Sequence, residues 1–333
     1  MLQHTRRQRL LGTGATVAIV VLSGLALSVW SRFRADLADA NIRVSQGSTV
    51  IQTRCGPIEY QEAGNGIPLL AVHGSGGGHD QGMAFARPLT QHGIRVIAMS
   101  RFGYLRTPMP ANASPAAQAD AHVCLLDALG ISKAAVLGGS AGAPSALQMA
   151  IRHPDRVSAL ILLVPLAYKP PTIDDSAPAM SPWLENAMMS VIGSDFLFWS
   201  ALHLARSRMI GTVLATPPEL LAGASLAEQT RIDAILDTIL PVSRRAEGLR
   251  SDTAIGKHLA PMLLKAIRAP TLIISARDDR YGTHASAEYM AGQIAGAKFI
   301  SFAQGGHTWV GHDDAVMDAI VTLLSPVEVP NGS

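Results

Sequence analysis

Ala134-Ala135-Val136-Leu137-Gly138-Gly139-Ser140-Ala141-Gly142 is the stretch that decides the fold of this chain. An apolar run enters a G-x-S-x-G pattern, and a helix-compatible segment, residues 143–153, leaves it. In that context the serine sits at the tip of a tight strand-to-helix turn and projects away from a sheet. Glycines two residues to either side let strand and helix approach without a Cβ clash. The pentapeptide alone is weak evidence; its flanks make it specific.

Outward from this turn, strands alternate with helices from residue 49 on, which predicts a mostly parallel sheet covered on both faces. Residues 49–54 and 58–61 read as an antiparallel entry hairpin across Cys55-Gly56-Pro57. Buried strands follow at 69–72 and 94–99, the second after a helix ending near His92-Gly93. Ser114, Pro115 and Gly130 mark the N-cap, first position and C-cap of a helix over 115–129. Strands at 134–137, 159–164, 271–275 and 298–302 complete an eight-stranded sheet, and 314–324 is the last helix. The strand rhythm stops between Pro165 and Ala269. That interval, 166–268, reads as a helical cap inserted into a core made of 49–165 and 269–326. Pro170, Pro171, Pro178 and Pro182 bracket its entry loop, and Trp183, Met188, Met189, Phe196, Phe198, Trp199 and Met209 supply an apolar inner side.

The amino terminus is a separate segment. Arg6, Arg7 and Arg9 precede an uncharged stretch from Leu10 to Trp30, and Arg32 and Arg34 follow it. About 20 apolar residues cross a bilayer core as a helix, whereas a cleaved signal has a shorter apolar region. Residues 1–35 therefore read as a membrane anchor, or alternatively a signal segment, with 36–48 as a linker. The anchored reading places the catalytic domain outside the cytoplasm; the alternative is secretion after cleavage. Cys55 and Cys124 can pair if the fold brings them together, but the plainer expectation is two unpaired thiols. Of the 333 residues, 48% are hydrophobic and 16% charged, which argues for a sizeable core. A net charge of +2 without a basic stripe argues against nucleic acid as a partner. Oligomeric state leaves no mark in the sequence.

A serine nucleophile needs a base, and the base needs an orienting carboxylate. The loops after the last two strands read Ala276-Arg277-Asp278-Asp279-Arg280 and Ala303-Gln304-Gly305-Gly306-His307. They place His307 as the base and Asp279, rather than Asp278, as the acid, with Asp278 pairing to Arg277 or Arg280. An oxyanion also needs amide donors. The Ala141 N–H is one expectation; for the second, His73-Gly74-Ser75-Gly76-Gly77-Gly78 offers Ser75 first and Gly76 next. No Walker lysine follows those glycines, no HExxH or CxxC is present, and no cofactor or metal is expected.

Taken together, these residues resemble the α/β-hydrolase superfamily from about residue 49 to 324, with a triad mapped onto Ser140, Asp279 and His307. His73-Gly74 is similar to that family's oxyanion loop. Ser100-Arg101-Phe102-Gly103-Tyr104 resembles its D-x-x-G-x-G loop, and the segment from Arg152 to Val157 resembles the stretch after the elbow helix. Ser100 stands where the family has Asp, Leu105 where it has Gly, and Ala276 where Gly commonly precedes the acid loop. Serine at 140 sets the chain apart from relatives with an aspartate nucleophile. The expected activity is cleavage of an apolar small-molecule ester through an acyl-enzyme. Lactone, amide or C–C bond cleavage, cofactor-free haloperoxidation, and a non-catalytic binding role are the alternatives.

Overall fold

The computed structural model of the chain describes residues 2–171, 190 and 193–325. Eight strands form one sheet in the order β1-β2-β4-β3-β5-β6-β7-β8. They are β1 (Thr49–Thr53), β2 (Gly56–Ala63), β3 (Ile67–Val72), β4 (Ile94–Met99), β5 (Ala134–Gly139), β6 (Val157–Leu163), β7 (Thr271–Ala276) and β8 (Lys298–Phe302). β2 is antiparallel to β1 and β4; every other pairing is parallel. The helices outside the inserted segment are α1 (Leu2–Ser45), α2 (His79–Ala86), α3 (Pro115–Ala128) and α4 (Ala143–Arg152) before it. After it come the two last ones, Thr283–Gln293 and Asp313–Leu324.

Side chains alternate along a strand, so each central strand feeds two cores. Leu70 and Val72 of β3 pack with α3, α4 and the helix Thr283–Gln293. Leu69 and Ala71 face the other way, onto α2 and Asp313–Leu324. Burial on both faces explains why β3, β5 and β7 read as continuous apolar runs. The Ser114 hydroxyl accepts the Ala117 N–H at the start of α3, and Gly130 takes φ +68° just past its end. Both ends of α3 thus follow the expected chemistry.

Between β6 and β7 the described residues form no strand. They form α5 (Asp195–Leu204), α6 (Arg206–Val213), α7 (Glu219–Ala222), α8 (Leu226–Asp237) and α9 (Ala246–Lys257). In chain order the two last helices are α10 (Thr283–Gln293) and α11 (Asp313–Leu324). Phe198, Trp199 and Met209 are buried, whereas Trp183, Met188, Met189, Pro178 and Pro182 lie outside the described residues.

One expectation changes, that of two unpaired thiols, and another gains detail: the 36–48 linker is helical as far as Ser45. Good helix formers such as Ala35, Leu37 and Ala38 run on past the apolar segment with no Gly or Pro to stop them before Gly47. Cys55 and Cys124 are joined, with Cα atoms 6.0 Å apart, because the β1–β2 turn lies against α3. The amino-terminal unit, residues 1–43, and the unit from Val44 onward are separately compact. α1 is long and apolar enough to cross a bilayer, and Ile19, Val20, Val21 and Leu22 stand exposed on it.

Candidate active site

Register brings the relevant loops to one edge. Val72 of β3 lies level with Gly138 of β5, and Gly139 with Leu163 of β6. Ala276 of β7 lies level with Phe302 of β8. The loops that leave β3, β5, β7 and β8 therefore open at the same carboxyl edge, where open α/β sheets hold their ligands.

Ser140 follows β5 directly, with φ +46°, a left-handed conformation that a serine adopts only under constraint. The constraint is packing. A Cβ on Gly142 would sit 2.5 Å from the Val72 carbonyl oxygen, and one on Gly138 would sit 2.8 Å from the Ala146 Cβ. Both glycines are therefore required for the close approach of strand and helix.

The Ser140 Oγ lies 2.9 Å from Nε2 of His307. Nδ1 of the same imidazole lies 2.8 Å from Oδ2 of Asp279. Three sequence-predicted residues from three loops are thereby brought together. The Asp279 carboxylate is buried; Oδ2 also accepts the Thr283 hydroxyl, and Oδ1 accepts the Tyr281 N–H at 2.9 Å. Burial alone would favour its neutral form. His307, Thr283 and the Tyr281 amide outweigh it and hold the carboxyl below the ordinary aspartate value. Asp278 does not pair with Arg277 or Arg280. Its oxygens accept the N–H groups of Gly305 (3.2 Å) and Gly306 (2.8 Å), the two residues before His307. Adjacent carboxylates thus divide the work: one touches the imidazole, the other ties down its loop.

The loop after β3 lies beside the nucleophile, since a Cβ on Gly74 would be 3.1 Å from the Ser140 Cβ. Among the described residues the Ser75 N–H has no acceptor, while the Gly76 N–H donates to the Tyr104 hydroxyl at 3.3 Å. The Ala141 N–H sits in the first turn after the elbow, where a helix leaves its amides unsatisfied. His73 is fully buried, and burial first, then the Arg101 charge, keep it well below its ordinary value. The Arg101 N–H donates to its Nε2 at 2.9 Å, so Nδ1 carries the proton toward the Gly74 carbonyl, 2.7 Å away.

Sequence reasoning missed Asp252, on α9, whose buried carboxylate receives both Nη atoms of Arg101 at 2.7 Å. Nothing in its surroundings, Leu249-Arg250-Ser251-Asp252-Thr253, sets it apart. Arg101 and Tyr104 stand in the loop after β4, and no sequence pattern links that loop to Asp252. A cavity of about 20 Å³ is lined by Ala141 and Pro144 together with Arg101, Gln118 and Asp252. Among the described residues no cluster of His, Cys, Asp or Glu is arranged to hold a metal.

A family model described as the alpha/beta hydrolase fold matches residues 67–310. A 2-hydroxymuconate semialdehyde hydrolase of Pseudomonas putida is 39% identical over 105 residues. That match spans 31% of this chain and only 37% of the relative's own length. A 2-hydroxy-6-oxononadienedioate/2-hydroxy-6-oxononatrienedioate hydrolase of Paraburkholderia xenovorans is 26% identical over 72% of this chain and 78% of its own. Among solved structures, an alpha/beta hydrolase fold protein from Nakamurella multipartita is 28% identical, with a TM-score of 0.67. The likeness covers 83% of this chain and 98% of that one.

Proposed function

The chain belongs to the α/β-hydrolase family, and from that premise we propose that it is a hydrolase that cleaves an uncharged carboxylic ester through an acyl-enzyme on Ser140. The carrying observation is the Ser140–His307–Asp279 relay, with contacts of 2.9 and 2.8 Å. His307 accepts the Ser140 proton as the oxygen attacks the carbonyl carbon. Asp279 holds the imidazole in the tautomer that can accept and stabilises the cation that forms. The amides of Ser75 and Ala141 receive the developing oxyanion, each such donor being worth about 10²–10³ in rate. The tetrahedral intermediate collapses as His307 protonates the leaving alcohol. Water deprotonated by His307 then releases the acid.

The surroundings of the loop after β3 favour an apolar, uncharged substrate. We read the helices between β6 and β7 as a cap over the site, and Ile239 lies against Gly76, 3.5 Å from where its Cβ would stand. The guanidinium beside the elbow, Arg101, is held by Asp252 on both Nη atoms, so it is already neutralised. A second reading, hydrolysis of a carbon–carbon bond, is favoured by relatives named as oxononadienedioate hydrolases. The substrates in those names are carboxylates, for which an Arg101 already held by Asp252 is a poor receptor.

The test is a panel of 4-nitrophenyl esters of graded acyl length, with a lactone, an amide and a 2-hydroxy-6-oxo-dienoate alongside. Ester turnover that vanishes in Ser140→Ala is expected. Turnover of the dienoate with inert esters would transfer the assignment to carbon–carbon cleavage.

We further propose that α1 anchors the chain in a membrane with the catalytic unit on the oxidising side. α1 supports the anchor by its length and apolar character, and the Cys55–Cys124 bond suits an oxidising compartment.

A further inference from the structure

Asp252 reaches from α9 into the loop that leaves β3 and ends among four donors. Its two oxygens take both Nη groups of Arg101 at 2.7 Å, and Oδ2 also takes the hydroxyls of Tyr104 (2.5 Å) and Ser75 (2.9 Å). Three of the four residues are buried, Tyr104 at 0% exposure and Arg101 and Asp252 at 6% each, while Ser75 is exposed. Directly or through these partners the carboxylate reaches His73, Gly74, Ser75 and Gly76 of the loop. Arg101 donates through Nε to the His73 carbonyl (2.9 Å) and through Nη2 to the Gly74 carbonyl (3.1 Å). The Tyr104 hydroxyl accepts the Gly76 N–H.

The consequence follows from the peptide plane. In a trans peptide the C=O of one residue and the N–H of the next point in opposite directions. A Gly74 carbonyl turned onto Arg101 therefore aims the Ser75 N–H away from the guanidinium, and Gly74 is the residue packed against Ser140. Without Asp252 the buried guanidinium loses its counter-charge, a severe cost that the loop would relieve by moving.

We propose that Asp252 is a positioning residue of the reaction, holding the Ser75 amide in its oxyanion-binding direction through Arg101 and Tyr104. The inference rests on the serine-hydrolase reading and adds a role for the insertion. α9, more than a cover, supplies the carboxylate that sets the loop.

The test compares full-length wild type with Asp252→Asn and the milder Tyr104→Phe. Three readouts are used: steady-state kinetics on a 4-nitrophenyl ester, inhibition by an arylboronic acid, and hydrogen exchange of a peptide spanning residues 73–78. Asp252→Asn is expected to lower kcat about 10²-fold with KM within about threefold. The boronate inhibition constant should rise in parallel, because that adduct places an oxygen in the same hole. Tyr104→Phe is expected to cost about tenfold, and exchange across 73–78 should quicken in both. Folded variants with wild-type kcat, inhibition and exchange would overturn the proposal, as would a rise in KM alone. If wild type proves inert to a fluorophosphonate, Ser140 is not the nucleophile. The exchange data then still decide whether Asp252 sets the loop.

Discussion

At position 140 a left-handed backbone angle makes the hydroxyl stand clear, and 167 residues along the chain an imidazole meets it. The two residues that serve that imidazole are adjacent in sequence, yet they differ in the kind of rate loss expected. Asp279→Asn holds the His307 imidazole in the wrong tautomer and should lower kcat about 10⁴-fold. Asp278→Asn keeps one acceptor for the Gly305 and Gly306 amides and should cost about tenfold, the loss of one hydrogen bond. Steady-state kinetics on the two variants decides the order. The meeting of Ser140, Asp279 and His307 was legible because motif and chain order place them on loops after strands. The partners of Asp278 were not, because they are backbone amides, which leave no side-chain pattern. A further residue-level expectation concerns His122, fully buried between Met99 and Ser145 and held by burial, then by the Arg101 charge, at about 3. The unfolded imidazole takes up a proton near pH 6.5, whereas the folded one stays neutral down to about 3. Stability is therefore whole above 6.5 and falls as pH drops through that window, by up to about 1.4 kcal/mol per pH unit. His73, displaced in the same direction, adds to the slope. Thermal melts from pH 7.5 to 5 should be flatter for His122→Gln than for wild type; parallel curves would contradict the assignment.

At the scale of elements, strand positions were legible wherever burial on both faces leaves an unbroken apolar run, as in β3, β5 and β7. Ends were less so. β2 extends from Gly56 to Ala63, beyond the expected 58–61, because Gly56 and Pro57 pair with β1 at one end and Glu62 and Ala63 with β4 at the other. Glu59 is buried and answers Arg106 at 2.7 Å and Ser100 at 3.0 Å. Ser100 thus has a partner of its own where the family has Asp. Leu105, standing where the family has Gly, takes φ +53°, so the glycine preference marks a conformation this chain adopts with a side chain. The disulfide between the β1–β2 turn and α3 could not be read from two lone cysteines, since pairing depends on distance. It closes a loop of 69 residues, which in the chain-entropy picture stabilises by about 4 kcal/mol. Denaturant titration of Cys55→Ser, or of reduced wild type, should show a loss of that order. An unchanged midpoint would mean that the bond does not form in the mature protein.

For the whole molecule, the division at residue 43 yields a physical expectation. A chain beginning at Val44 keeps the complete sheet, both cores and every residue of the proposed site. It should remain in the supernatant after high-speed centrifugation without detergent and retain ester turnover. The full chain should sediment with membranes, and its release by salt or alkaline carbonate would contradict an anchor in α1. The architecture was legible from alternation alone, but the substrate was not, because tertiary packing, which leaves no periodicity in the sequence, decides which side chains between β6 and β7 come near Gly76 and Arg101. The most direct examination of the proposed chemistry is an intact-mass measurement of protein quenched with acid during turnover of a slowly hydrolysed 4-nitrophenyl ester. A mass increase of one acyl group, mapped by peptide analysis to Ser140 and lost in Ser140→Ala, is expected. Rapid turnover with no adduct at any quench time, or an adduct that survives in Ser140→Ala, would contradict the acyl-enzyme.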